Sequence, residues 1–422
     1  MKKYKLCVGL MLASLLFLPV KAFSNGYTSP WLGGPLQGPA VASGAGVYWN
    51  PASIGDIKDD SLFFSIEPVY EYVSYQRAGL NPYNNDMPYN KASFHAWSAL
   101  PTLGLTFELP ENFSFGLGLY VPFAREAYYP KNGAERFNGS QETMFFANVT
   151  PILTYKIIPS LIIGAGFNYS TMYLDEYQST TLDFANPSDE NPLYEANIHI
   201  KGNTGPGYGW TAGIYYKPTP NFSAGIAYIA STEYTIKGNT DISTNPQLGL
   251  GNITAKSKLD FTMPQIINFG LHFLPTNDWI VDLTEQWINW SQYKNIHVQL
   301  YDASTPIANR EMYVLTGFED VLNSKVWVGY KGFRKWLIAG GAAYDPSGIP
   351  VNHIYSLNLE FNKMDVFAQV NYQVSPSTTI GVGFDHSIVE DQNVTDSIVQ
   401  PPANGVYKAN IEKITLLVNY NF

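Results

Sequence analysis

Few residues in this chain have the types and the spacing that catalysis requires. Asp385, His386 and Ser387 are the three residue types of a hydrolytic triad, and they follow one another directly. In a strand, neighbouring side chains point to opposite faces, so three adjacent residues do not form a working triad. A hydrolase is therefore not the expected class of protein.

Metal and cofactor chemistry has no better support in the sequence. The six histidines are scattered, without an HExxH or HxH pair, and the single cysteine, Cys7, builds neither a disulfide framework nor a thiolate site. The sequence contains no Walker A motif, and no GxGxxG lies between a strand and a helix. Acidic loop pairs such as Asp189-Glu190 are typical of solvated loops. We expect no metal ion, no cofactor and no enzyme activity.

The composition narrows the class of protein further. Charged residues make up 14% of the chain, against roughly 25% in ordinary soluble domains. Aromatic residues make up 15%, which excludes intrinsic disorder. The formal net charge is −10, whereas a nucleic-acid phosphate backbone needs a basic patch, so nucleic acid is not an expected partner.

The N-terminus resembles a secretion signal. Lys2, Lys3 and Lys5 precede an apolar run over residues 6–20, and Ala22 offers a cleavage site. The run is shorter than the ~20 apolar residues that a membrane helix needs. We therefore predict a signal peptide over residues 1–22 and export from the cytoplasm.

The C-terminal segment shows the alternation of a strand. Ile414, Leu416, Val418, Tyr420 and Phe422 fall on one face, and mostly polar residues fall on the other. An alternating strand that ends in phenylalanine resembles the signal read by the outer-membrane assembly machinery. An ordinary half-buried final strand is the alternative.

Comparable alternation recurs along the chain, for example over residues 113–121, 161–169, 222–228 and 380–384. Each segment has one apolar face and one small or polar face, which suits lipid outside and a lumen inside. Candidate strands begin near residues 61, 93, 112, 142, 160, 194, 221, 253, 278, 311, 335, 355, 377 and 405. Short turns and long polar loops separate them. The pattern predicts an all-β, antiparallel transmembrane barrel of about 14 strands over residues 61–422.

Residues 23–60 do not have a strand pattern. They are rich in Gly, Pro and Ala and are too many for a simple periplasmic tail. We predict that this segment plugs the lumen, as in other plugged barrels.

Seven segments of the chain carry a recognisable order of motifs. The first, GAGVYWNPASI, centres on Asn50-Pro51-Ala52. The others occupy residues 94–123, 207–239, 259–273, 289–293 (NWSQY), 317–320 (GFED) and 343–351 (AYDPSGIPV). In this order, and over almost the whole exported chain, they resemble the FadL-type family of outer-membrane transporters for long-chain fatty acids and other hydrophobic compounds.

The resemblance implies a 14-stranded barrel with an N-terminal hatch, in the outer membrane of a Gram-negative (diderm) bacterium. Such a barrel takes up hydrophobic small molecules passively, through an apolar pocket and a lateral gap in the wall. Its partners would be the cargo, outer-membrane lipid and lipopolysaccharide, and the assembly machinery. Because proline cannot donate to a strand ladder, Pro68, Pro101 and Pro122 are candidates for the gap, although each also suits an ordinary strand end or turn.

The chain departs from the family where the family holds a carboxylate. Residues 164–177 and 313–316 contain no Lys or Arg, whereas fatty acid transporters place basic residues there. A buried carboxylate without a cationic partner or hydrogen bonds is costly. Either another basic residue serves, or the cargo is uncharged, like an aliphatic or aromatic hydrocarbon. The candidate carboxylate partners are Arg77, Arg125, Arg136 and Arg310.

Aromatic and aliphatic residues of the hatch are candidates for an apolar substrate pocket, namely Tyr27, Trp31, Leu32, Tyr48 and Trp49. Packing between hatch and wall explains them equally well. Two other functions stay open at this point: a general diffusion porin, which needs a wet and charged lumen, and a surface receptor or adhesin that acts through its long loops.

Overall fold

The computed structural model describes residues 32–79, 83, 90–183, 185–186, 188–304 and 309–422. The predicted signal peptide (residues 1–22) and the pocket candidates Tyr27 and Trp31 lie outside the described residues. Within the described ranges, no helix combines the length and the apolar character needed to cross a membrane.

The described chain forms one sheet of 21 strands. Their bounds are Ser61–Arg77 (β1), Lys91–Glu108 (β2), Phe113–Tyr120 (β3), Ala124–Tyr128 (β4), Gln141–Ile158 (β5), Leu161–Thr181 (β6), Glu195–Thr204 (β7), Gly207–Thr219 (β8), Phe222–Ile229 (β9), Thr232–Thr244 (β10), Ile253–Met263 (β11), Ile266–Phe273 (β12), Trp279–Ile288 (β13), Asn295–Tyr301 (β14), Arg310–Leu315 (β15), Val321–Tyr330 (β16), Trp336–Asp345 (β17), Lys363–Ser375 (β18), Thr378–Val389 (β19), Gln392–Val394 (β20) and Gly405–Asn421 (β21).

These strands build a closed antiparallel barrel, as predicted. Its wall has 14 strand positions, here called staves, and each is filled by one strand or by two consecutive strands. Seven staves are interrupted and consist of two strands each, namely β3–β4, β7–β8, β9–β10, β11–β12, β13–β14, β15–β16 and β19–β20. The last strand pairs with the first over its length, from Ser61 with Asn421 to Arg77 with Gly405, and this pairing closes the barrel. Closure leaves no sheet edge to lipid, which a membrane-spanning sheet requires.

The two faces of the wall differ as the alternation predicts. On β19, Ile380, Val382 and Phe384 are about half exposed, whereas Gly381 and Asp385 are buried. The exposed set faces outward and the buried set faces the lumen. One end of the barrel has short turns and the other has long loops, which in bacterial barrels are the periplasmic and the extracellular ends.

The predicted first residue of one strand is wrong. The sequence pattern puts a strand near Tyr355, but β18 begins at Lys363. The alternating apolar residues before it belong to a loop, residues 346–362, whose main chain bonds to itself and to other loops rather than to a strand. For example, Tyr355 and Asn358 exchange main-chain hydrogen bonds. Period two therefore arises here without a ladder.

Residues 32–60, here called the hatch segment, precede β1 and lie against the inner wall. The segment contains a one-turn helix, α1 (Gly46–Trp49), followed by a 3₁₀ helix, Pro51–Asp56. Leu32, Trp49 and Ile54 are fully or almost fully buried. The segment has its own apolar cluster with wall residues of β1, β3 and β5.

Candidate functional site

Asn50 joins the two short helices of the hatch segment and ties them to the wall. Its side-chain oxygen accepts a hydrogen bond from the Ala52 N–H (3.0 Å), which caps the 3₁₀ helix. Its side-chain amide donates to the carbonyls of Pro39 (2.9 Å) and Ile214 (3.0 Å). Pro51 occupies the first position of the helix, where its missing N–H costs nothing. The Asn-Pro-Ala motif is therefore a structural anchor of the hatch segment.

Two glycines of the wall allow this close contact. A Cβ on Gly213 would lie 2.1 Å from the side-chain oxygen of Asn50, and one on Gly225 would lie 1.9 Å from the Pro39 carbonyl oxygen. Any larger residue at either position would push the anchor away from the wall.

Further polar bonds hold the hatch segment around its circumference. They are Ser223 Oγ to the Ala40 carbonyl (2.9 Å), Lys325 Nζ to the Gln37 carbonyl (2.6 Å), Asn268 Nδ2 to the Trp49 carbonyl (3.1 Å) and Lys217 Nζ to Asp56 (2.7 Å). These ties come from β9, β16, β12 and β8, so the segment is fixed on several sides.

The pocket candidates Leu32, Tyr48 and Trp49 are buried where hatch and wall meet. The Trp49 indole N–H donates to the Leu32 carbonyl (2.8 Å), and the Tyr48 ring meets the Tyr120 ring edge to face (5.5 Å). Ile229 packs both against this cluster and against the larger apolar cluster of the barrel. Whether these residues also contact cargo stays a prediction.

The larger cluster, here called the apolar interior, fills much of the barrel beyond the hatch segment. Inward side chains of strands and of the breaks between strands supply it, among them Met144, Phe146, Met172, Phe261, Trp290 and Phe318. All six are 7% exposed or less. Side chains of this kind favour contact with apolar solutes, because burial contributes roughly 25 cal/mol per Å² of apolar surface.

Two motifs that the sequence analysis used only for recognition meet in the apolar interior. NWSQY lies in the break between β13 and β14, and GFED lies in the break between β15 and β16. The breaks let Trp290, Tyr293 and Phe318 turn inward, and their rings lie 4.9 to 6.1 Å apart. The Asp320 carboxylate fixes the first break by accepting hydrogen bonds from Asn289 Nδ2 and the Ser291 N–H. Sequence reasoning missed these three aromatic residues as site residues, although their place inside matched motifs was a usable signal.

Three of the four candidate carboxylate partners already face an acid. Arg125 Nε lies 3.2 Å from Glu142, Arg136 Nε lies 3.0 Å from Glu195, and Arg77 forms a two-pronged pair with Glu190. The fourth, Arg310, is exposed at the start of β15. The structure therefore brings none of the first three to a carboxylate-binding position without displacing its present partner.

The ladder is short between β2 and the stave built from β3 and β4. Pro122 lies in the three-residue break between β3 and β4. The ladder between β2 and this stave runs only from Thr102 to Glu108, opposite β3. In the described part of the chain, β4 has ladder partners in β5 and none in β2. Pro68 and Pro101, in contrast, lie within the continuous strands β1 and β2.

The remaining candidates are placed as follows. Phe422 follows β21, donates its N–H to the Asp60 carbonyl (2.8 Å) and packs beside Tyr420. Along β19, Asp385 and Ser387 face the lumen while His386 faces outward. The described residues contain no group of His, Cys, Asp and Glu side chains placed to hold a metal ion.

A closed antiparallel barrel with an apolar outer face, a hatch in its lumen and an apolar interior is an outer-membrane transport barrel. Residues 28–422 match the family model described as "Outer membrane protein transport protein (OMPP1/FadL/TodX)". The chain therefore belongs to this family and is an outer-membrane transport protein, which confirms the predicted family and location.

Individual relatives agree with this assignment. The chain is 22% identical to a long-chain fatty acid transport protein of Escherichia coli O6:H1, over 85% of this chain and 84% of that protein. Its fold is similar to that of a Pseudomonas aeruginosa FadL homologue, with a TM-score of 0.79 and 17% identity over 95% of this chain and 98% of the other. The toluene transporter TbuX of Ralstonia pickettii gives a TM-score of 0.69 at 16% identity, over 96% and 99% of the two chains.

Proposed function

We propose that this protein takes up neutral hydrophobic small molecules, such as aliphatic or aromatic hydrocarbons, across the outer membrane. The observation that carries the proposal is the apolar interior, which closed strands surround and the hatch segment bounds. A hydrocarbon gains free energy by entering such a volume from water. No catalysis is needed, since a concentration gradient suffices.

Capture begins at the extracellular loops. A groove of about 360 Å³ lies there, lined among others by Phe137, Leu315, Tyr355 and Ile398. Leu315 and Ile398 are about half exposed. The apolar side chains in the lining of this groove hold an apolar solute at the mouth of the barrel before it moves inward.

The buried charges favour neutral cargo over a carboxylate. Among the described residues, buried acids outnumber buried cations. Arg125 faces Glu142, Lys363 faces Asp345, and Lys413 faces two aspartates. A carboxylate that came to one of these three cations would have to displace an acid that is already there, and a buried charge without a partner is costly.

Exit is sideways, at the break between β3 and β4. A solute that leaves through the wall between β2 and β4 enters the apolar part of the membrane directly. It therefore avoids an aqueous exit, which an apolar molecule would cross only at a cost. Pro122 supports the opening because proline cannot donate a ladder hydrogen bond.

The surroundings of the barrel fit the same proposal. Trp279 packs beside Tyr330 near a short turn, and Tyr208 and Trp210 are exposed near the other limit of the apolar band. Aromatic residues at both limits are typical of contact with lipid headgroups, including lipopolysaccharide. The assembly machinery remains the proposed partner of the strand that ends in Phe422.

Long-chain fatty acids are the second candidate cargo. The Escherichia coli relative is named a long-chain fatty acid transport protein, and Arg310 lies exposed on the extracellular side. For such a cargo, one of the four candidate arginines would hold the carboxylate.

Uptake of labelled dodecane, toluene and oleate, with and without the gene, tests the proposal. We expect uptake of the hydrocarbons to depend on the gene, and plasmid-borne expression of the wild-type chain to restore it. If only the uptake of oleate depended on the gene, the second candidate cargo would be favoured. The next step would then be to replace each of Arg77, Arg125, Arg136 and Arg310 by Gln. If uptake of all three compounds were independent of the gene, the proposal would be wrong.

A further inference from the structure

An extracellular loop contributes to the apolar interior. The loop of residues 346–362, which connects β17 to β18 and is here called the inserted loop, carries alternating apolar residues. Ile354, Leu357, Leu359 and Phe361 are between 0% and 6% exposed. They belong to the same contiguous cluster as Phe146 and other inward residues of the wall. The loop therefore packs inside the barrel rather than over its rim.

Polar bonds fix the inserted loop in this position. Ser356 Oγ donates to the carbonyls of Asn138 (3.0 Å) and Gly139, and the Ser356 carbonyl accepts from Arg125 Nη2 (3.1 Å). Asn358 Nδ2 donates to the Thr316 carbonyl (2.8 Å). The loop is thus tied to β4, to the loop that precedes β5 and to the break between β15 and β16.

The inserted loop also fits closely against Gly139. Its φ of +106° is disfavoured for residues with a side chain, and a Cβ there would lie 2.1 Å from a terminal carbon of Leu357. The Leu357 side chain therefore sits where only glycine leaves room. A loop held by side-chain, main-chain and shape contacts is a fixed wall rather than a mobile lid.

We propose that the inserted loop is the roof of the cargo site and that Leu357, Leu359 and Phe361 set the length of cargo that fits. The inference rests on the proposed function and deepens it. The hatch segment bounds the apolar interior on the periplasmic side, and the inserted loop bounds it on the extracellular side. Since protein interiors are close-packed, volume that loop side chains occupy is closed to cargo.

The expected effect follows from the size of the side chains. Leu359→Ala removes three carbon atoms from the roof, which makes room for about two or three methylene groups of cargo. Each buried methylene group changes affinity by roughly fourfold. We therefore expect the preferred n-alkane to lengthen by two or three carbons, and the affinity ratio of a long to a short alkane to rise at least about tenfold.

Competition by n-alkanes from hexane to hexadecane against a fluorescent hydrophobic probe, on the purified full-length barrel in detergent, tests the proposal. The variants are Leu357→Ala and Leu359→Ala. Val351→Ala is the matched control, because Val351 belongs to the same loop but is 42% exposed. The control should keep the wild-type order of affinities. Folding of each variant is checked by its heat-modifiable migration.

A second variant guards against loss of folding. Leu359→Phe enlarges the side chain, so it should shift the preference toward shorter alkanes. Folded variants that keep the wild-type preference, whether Ala or Phe, would overturn the role of the roof while leaving uptake of hydrocarbons intact. A wild-type barrel that binds no alkane at all would overturn the proposed function and this inference with it.

Discussion

Replacing Asn50 by Ala should release the hatch segment without harming the barrel. The side chain is fully buried and makes three hydrogen bonds, to the Ala52 N–H and to the Pro39 and Ile214 carbonyls. Alanine leaves all three groups without this partner. The bond to Ile214 matters most for seating, because it alone of the three reaches across from the hatch segment to a barrel strand.

The magnitude follows from ordinary hydrogen-bond energetics. Each lost bond costs about 1 kcal/mol net, and a buried group that stays unsatisfied costs about 1–3 kcal/mol. The bond to the Ile214 carbonyl joins hatch and wall, so its loss weakens seating by about 1–3 kcal/mol. Since about 1.4 kcal/mol corresponds to a tenfold change in an equilibrium constant, the ratio of released to seated hatch should rise by roughly 5- to 100-fold. Adding Pro51→Ala also removes the fixed φ of the first helical residue, which should increase the effect.

The assay combines uptake with protease sensitivity. We expect reduced uptake of labelled hydrocarbon and faster cleavage within residues 32–60, at unchanged surface levels and unchanged heat-modifiable migration of the barrel. Asn419→Ala is the matched control, because the Asn419 amide bonds to Asn421 at the end of β21. Wild-type uptake and protease resistance in both Asn50→Ala and the double variant would refute the role assigned to the Asn-Pro-Ala motif.

Two further predictions concern other parts of the chain. Deletion of Phe422 should lower the yield of folded, heat-modifiable barrel, because the last strand closes the wall against β1; an unchanged yield would contradict this. In the loop before β5, burial raises the pKa of Glu135 from its usual 4.5 to about 8, although its own main-chain hydrogen bond and Arg136 lower it. The folded state thus binds this proton more tightly than the unfolded state, so stability falls as pH rises from about 4.5 toward 8. Glu135→Gln should raise the heat-modification temperature at pH 9 and leave it unchanged at pH 4, and an equal shift at both pH values would rule out titration of Glu135 as the cause.

The wall of the barrel was accessible to sequence reasoning because lipid and lumen impose opposite demands on neighbouring residues. On β19, for example, Ile380 and Val382 face lipid while Gly381 and Gly383 face the lumen, and this difference is visible in the sequence alone. The same rule failed at Tyr355, where apolar and polar residues alternate in a loop whose residues 356–361 are all buried. Alternation along the sequence does not report which part of the protein buries the residues.

The contents of the lumen were less accessible, because they depend on contacts between distant parts of the chain. The sequence contains Arg125 and Glu142 but gives no sign that they form a pair, and 17 residues separate Trp49 from the Leu32 carbonyl that it binds. Trp290 and Phe318 point inward because the strands are interrupted there. The matched motifs suggested where these breaks lie, but the alternation pattern did not contain them. Such contacts form by packing in three dimensions, and a pattern read along one strand does not contain them.

The energetics of the hatch segment and of the wall together favour a lateral route for cargo. A path straight through the hatch must break bonds that Asn50, Lys217, Ser223 and Lys325 make between hatch and wall. A path between β2 and β4 breaks no ladder bonds between these strands, since none is found there among the described residues. It also delivers an apolar molecule into lipid rather than into water. For the proposed neutral cargo, this comparison makes the wall the less costly exit.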